Sequence, residues 1–165
     1  MRNAHAPDRP LADGGYSTFL GPGAPSVREA RDAVRTWLAE YGLHDAVETA
    51  ELLVSELATN AVLHARSRFR LTLTLCRGVL RCEVADQVRD APPPGRAGAC
   101  EDSENGRGLF LVDALSERWG STLLEDGQGK CVWFELAAVA SRAVTTARWQ
   151  GTTAPDPEVA CRSTA

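Results

Sequence analysis

The sequence predicts an α+β two-layer sandwich, with three helices on one face of a mixed, mostly antiparallel sheet. Two patterns carry this expectation. Residues 68–76 (RFRLTLTLC) and 79–86 (VLRCEVAD) alternate apolar and polar side chains, the period of a half-buried strand. Residues 26–41 and 45–66 instead repeat apolar side chains every three or four positions, the period of a helix with one buried face. The 165 residues, 44% apolar and 24% charged, give room for one ordinary core.

The elements follow in order. Residues 1–15, rich in Pro, Gly, Ala and Asp, read as a disordered arm. YSTFL (16–20) reads as a short edge strand and GPGAPS (21–26) as a turn. Ser26 is expected to cap the first helix, with Glu29 as its capping-box partner and Gly42 as its stop. Val27, Ala30, Val34, Trp37, Leu38 and Tyr41 form that helix's apolar face. In the second helix Val47, Ala50, Leu53 or Val54, Leu57, Ala61 and Leu63 are expected to pack inward. Phe69, Leu71, Leu73 and Leu75 share one face of the first long strand. After the hairpin turn at Gly78, Leu80, Cys82 and Val84 do the same in the second. Residues 87–106 break the pattern with three consecutive prolines, and a loop of that length in a compact domain is usually functional. A third helix is expected over about 107–117, then strands at 119–126 and 130–137 joined through Gly127–Gly129. Residues 16–137 thus read as the folded domain and 138–165 as a flexible tail.

Composition excludes several classes. The formal net charge of −4 gives no reason to expect nucleic acid as a direct partner. Five cysteines, an odd number without C-x-x-C, argue against a disulfide framework or a zinc ribbon and fit a reducing cytoplasm. The first residues hold no apolar segment of a secretory signal. No apolar run reaches the roughly 18 residues that span a bilayer. The expectation is a soluble cytoplasmic protein with no membrane contact.

Three stretches carry chemistry. In ELATNAVLHA (56–65), Glu56, Asn60 and His64 stand four residues apart, so consecutive members lie about 40° apart around the helix, beside the apolar stripe. A carboxylate and an amide carbonyl are hard oxygen donors that suit Mg²⁺ or water bound to it; a plain solvent-facing helix edge explains them equally simply. Asp86 falls on the buried parity of its strand. A buried carboxylate needs a hydrogen-bond partner, and a heterocycle's amino group in a flat apolar slot would supply one. Alternatively the strand ends earlier and Asp86 opens the loop as an Asx-turn. In NGRGL (105–109), Gly106 and Gly108 let the backbone approach a ligand closely, and a helix N-terminus there favours phosphate, with Arg107 adding charge. The spacing is neither that of a dinucleotide-binding loop nor that of a Walker loop.

The order of these stretches resembles the GHKL (Bergerat-fold) ATPase superfamily, which includes gyrase-type ATPases, histidine kinases and anti-sigma-factor serine kinases. ELATNAVLHA resembles its N box, VADQVRDAPPP its G1 box and NGRGLFLVDALSERWG its G2 box, over about residues 16–137. The short single domain and the GKCVWFEL ending look most like the RsbW-type anti-sigma branch, in its actinobacterial style. The resemblance implies an ATP-dependent serine/threonine protein kinase that phosphorylates a STAS-domain anti-anti-sigma partner, sequesters a sigma factor, or does both, and that can form a homodimer. It implies that Asn60 ligates Mg²⁺ and that Glu56 is general base or orients the attacking hydroxyl. Asp86 would accept from the adenine amino group, residues 87–105 would form a lid, and Gly106, Arg107, Gly108 and Leu109 would hold the phosphates. His64 matches a family position without an assured role.

The chain departs from the family at two places. The G1 pattern D-x-G-x-G is absent, since QVRD follows Asp86, and Lys130–Cys131 stand where many relatives have Thr near adenine. A non-catalytic regulator-binding module is therefore the competing reading. A detached histidine-kinase catalytic domain is a third, without a preceding helical hairpin that carries a phosphoacceptor His.

Overall fold

In the computed structural model, residues 13–88, 106–124, 127 and 129–138 are described, except for the side chains of 106 and 107. The elements are β1 (Gly14–Leu20), α1 (Pro25–Glu40), α2 (His44–Ala65), β2 (Phe69–Cys76), β3 (Val79–Asp86), α3 (Gly106–Leu115), β4 (Arg118–Leu123) and β5 (Lys130–Ala137). The five strands form one open sheet in the order β1-β2-β3-β5-β4, and every pairing is antiparallel. With three helices beside it, this is the expected α+β sandwich.

The strands owe their bounds to strict alternation. Leu71 lies opposite Val84, Leu73 opposite Cys82 and Leu75 opposite Leu80; Cys82 in turn lies opposite Phe134. All these side chains are buried in one core cluster. A one-residue slip would turn the whole set outward, so burial fixes the register. The β2–β3 hairpin closes through Arg77 and Gly78, both at positive φ, the two-residue turn whose twist matches that of the strands. Truncating Leu73 to Ala would cost about 2–5 kcal/mol, the range for emptying a close-packed core site.

The helices complete that core. α1 buries Ala30, Val34, Trp37 and Leu38, and α2 buries both Leu53 and Val54 along with Ala50, Leu57, Ala58 and Ala61. Gly42, at φ 69°, ends α1, and Arg66, at φ 47°, ends α2. The start of α1 differs from expectation. Pro25 occupies its first turn, the N-cap is Ala24 without a side-chain bond, and Ser26 is buried inside the helix. Proline has no N–H to satisfy and its φ is already helical, so no capping hydroxyl is needed there. Leu63 also differs. It is exposed, because Ala61 is the last fully buried residue of α2.

Two further differences are informative. β1 begins at Gly14, not Tyr16, since Gly14 and Gly15 pair with Leu75 and Thr74. Cys76 is disulfide-bonded. Cys82 and Cys131 are free. The pairing removes the support that cysteine spacing lent to a reducing compartment. Most of the expected arm, lid and tail (1–12, 89–105 and 139–165) also lies outside the described residues. Among the described residues no helix is long and apolar enough to cross a membrane.

Candidate functional site

α2 sets the first part of the site. Its buried stripe runs through Leu53, Leu57 and Ala61, and the row Glu56, Asn60, His64 lies along the border of that stripe. The helical period puts Glu56 and Asn60 half-buried, while His64 reaches solvent. Neither the Glu56 carboxylate nor the Asn60 amide makes a hydrogen bond or ion pair with the described residues. Among the described residues they have no side-chain partner, which is uncommon for half-buried polar groups in a packed domain.

The first turn of α3 rests on Glu56. A methyl group placed on Gly108 would lie 2.6 Å from Glu56 Oε2, well inside van der Waals contact. Only a residue without Cβ lets the α3 backbone come so near the carboxylate. The first four N–H groups of a helix have no partner within it, and the helix dipole makes that end positive. Gly106, Arg107, Gly108 and Leu109 form this turn, and the Arg107 side chain lies outside what is described. Thus two stretches far apart in sequence meet as carboxylate and helix N-terminus.

Asp86 provides a second part, at the end of β3. It lies on the core side of the sheet and is nearly buried, with 4% of its surface exposed. β3 runs through Asp86, so the strand does not end earlier, yet Asp86 Oδ1 accepts the Val88 N–H at 2.8 Å and closes the Asx-turn of the alternative reading. Its Oδ2 is 3.8 Å from Lys130 Nζ, directly across the β3–β5 ladder. Burial pushes the Asp86 carboxyl above its ordinary value, and the Val88 N–H, Lys130 and His64 draw it back down. Gly129 lies against the Asp86 carbonyl so closely that a Cβ there would collide with it. Sequence reasoning named Lys130 only as a departure. Its place opposite Asp86 follows once the strands are in register.

The described cavities lie elsewhere, on α1. One of about 500 Å³ is lined by Arg28, Arg31 and Arg35, and one of about 240 Å³ lies between Tyr16 and Trp37. Neither includes a residue of the row or of the Asp86 corner.

Residues 23–136 match the family model of the histidine kinase-like ATPase domain. The chain belongs to the histidine kinase-like ATPase family. Among solved structures it is similar to the crystal structure of the RsbU and RsbW domains of Rv1364c from Mycobacterium tuberculosis. The TM-score is 0.57 at 21% identity, over 80% of this chain and 35% of that longer one. A likeness at that identity shows a shared fold. No curated protein matches the chain.

A histidine kinase-like ATPase domain implies ATP binding, and one feature of the site fits a triphosphate. The cradle at Gly108, which a Cβ would fill, leaves backbone N–H groups beside Glu56. Among the described residues no group of three His, Cys, Asp or Glu side chains is placed to hold a metal by itself. Mg²⁺ does not need such a cage, since it usually takes one or two protein oxygens and completes its shell with phosphate and water.

Proposed function

We propose that this ATPase-family chain is an anti-sigma-factor-type serine/threonine protein kinase. It would transfer the γ-phosphoryl group of ATP to a STAS-domain anti-anti-sigma partner, hold a sigma factor inactive by direct binding, or do both. Residues 16–137 would be the catalytic unit. In this reading Asn60 holds Mg²⁺, Asp86 accepts from the adenine amino group, and the α3 turn from Gly106 to Leu109 holds phosphate oxygens. Glu56 takes the proton of the attacking serine hydroxyl or orients that hydroxyl. When bound, Mg²⁺ would neutralise charge on the phosphates. Phosphoryl transfer asks the protein mainly for positioning and charge, and this chain offers both.

The observation that carries the reading is the closeness of Gly108 to Glu56. It sets a candidate base beside the helix end suited to the phosphates. The likeness to a protein with RsbU and RsbW domains supports the anti-sigma branch; a homodimer, an actinobacterial style and a cytoplasmic setting belong to the same proposal. The test is purified protein with labelled ATP, Mg²⁺ and candidate STAS-domain proteins. Wild type should label a serine, and Glu56→Ala should lower the rate by about 10²–10⁴, the usual worth of a positioned acid or base. Equal labelling by Glu56→Ala would remove the assigned role. The missing G1 glycines keep one other reading in play: a regulator-binding module that binds its partner without turnover.

A further inference from the structure

β1 ends the sheet on one side, and among the described residues it pairs only with β2. The backbone groups along its other edge can take a further strand. Edge strands are usually blunted by charged residues or proline, but GGYSTFL holds neither. Both sides of this edge are equipped to receive side chains. On the helix side, the cavity of about 240 Å³ lies between Tyr16 of β1 and Ala33, Thr36 and Trp37 of α1, with Asp32 and Glu40 completing its wall. On the other side, Phe19 is 60% exposed. Arg70 is its cross-strand partner, and the Arg68 guanidinium lies over its ring, 5.4 Å from the centroid. Arg68 and Arg70 are exposed and make no ion pair with the described residues.

A strand laid beside β1 alternates its side chains between these two sides. Those on the helix side enter the cavity beside Tyr16 and Trp37, which suits an aliphatic group. Those on the other side meet Phe19 and two guanidinium groups, which suit carboxylates. We propose that β1 is a docking edge for a partner protein, and that it takes an extended segment of alternating aliphatic and acidic residues as a further strand. Main-chain bonds then supply affinity, and the alternate side chains supply selectivity. This inference stands apart from the nucleotide reading. Charge favours it over two other occupants. A second copy paired through its own β1 brings no carboxylate to Arg68 and Arg70, since GGYSTFL has none. A nucleic acid strand would bring phosphates toward Asp32 and Glu40, on a chain of net charge −4.

Fluorescence polarisation with the full chain and labelled peptides of about eight residues, within the usual length of a strand, tests it. Wild type should bind a peptide alternating valine and glutamate with a dissociation constant below about 1 mM. A valine–lysine peptide should bind about tenfold more weakly, because two exposed charge pairs become repulsions. A serine–glutamate peptide, which leaves the cavity unfilled, should also bind about tenfold more weakly. Arg68→Glu, at an exposed position, should bring the valine–glutamate and valine–lysine peptides to within about threefold of each other. Hydrogen exchange should slow at the amides of β1 when the valine–glutamate peptide is bound. No binding at millimolar peptide, equal binding of all three peptides by wild type, an unchanged preference in Arg68→Glu, or protection confined to other strands overturns the proposal. Protection of β1 that grows with protein concentration in the absence of peptide also overturns it, because a second copy then holds the edge. So does tighter binding of oligouridine than of the valine–glutamate peptide.

Discussion

The two sides of the sheet carry polar groups on opposite terms. On the side away from the helices, Arg81 donates to Glu83 at 2.9 Å and to Glu135 at 2.8 Å. The guanidinium of Arg81 stacks 3.9 Å above the Trp133 ring, and Arg118 reaches the second Glu135 oxygen at 3.6 Å. These charges are matched within the protein. On the helix side, Glu56 lies against the first turn of α3, and neither Glu56 nor Asn60 makes a hydrogen bond or ion pair with the described residues. A closed charge network holds strands together, whereas an open one is suited to a ligand. The comparison therefore gives the first group to stability and, under the proposed function, the second to binding.

Substitutions should separate the two roles. The largest effect is expected from Glu135→Ala, which strips Arg81 of its shortest partner. The loss should be about 2–4 kcal/mol in denaturant unfolding, below the range for a fully buried pair because Arg81 keeps some exposure. ATP affinity per folded molecule should stay unchanged. Gly108→Ala should do the reverse. Its methyl would push the Glu56 carboxylate aside, and a misplacement near 1 Å costs about 10²-fold in rate. Stability should hold or rise by up to about 1 kcal/mol, because Ala is the better helix former. A Gly108→Ala protein that unfolds easily yet keeps its turnover would erase the distinction.

The smallest effect concerns pH. Burial raises the Asp86 carboxyl above its ordinary 3.8 in the folded protein. A group whose folded pKa is raised contributes stability that is complete below the unfolded pKa and is lost as pH rises through the folded one. Lowering pH through the window just above 3.8 should therefore let Asp86 favour the folded state. Over the same window ATP affinity should fall, since a protonated carboxyl accepts poorly. His64, Lys130 and the Val88 N–H all face this group, so the comparison is between wild type and Asp86→Asn. The variant should lose Asp86's part of both slopes.

How far the sequence reaches depends on which force sets each feature. β3 and β5 run over the residues that alternation predicts, because one buried face fixes period and register together. Local chemistry was less decisive at the start of α1, where Pro25 in the first turn displaced the expected Ser26 cap. β1 extends to Gly14 through pairing with β2, which glycines do not announce. Leu63 was expected in the core, yet lies beyond the last fully buried residue of α2. In the site, the row on α2 and the buried parity of Asp86 were legible from spacing. The contact of Gly108 with Glu56 was not, since it needs α3 brought against α2 by tertiary packing. Lys130 became meaningful only once β3 and β5 were in register.

The central claim is that the open polar group on the helix side binds nucleotide. Calorimetric titration of Mg·ATP into wild type and Asp86→Asn tests it most directly. Wild type should bind with a dissociation constant below about 1 mM, and Asp86→Asn should bind about 10–100-fold more weakly, the range for losing a hydrogen bond to a charged group. No binding by wild type at millimolar nucleotide, or equal affinity in the two proteins, would contradict the account.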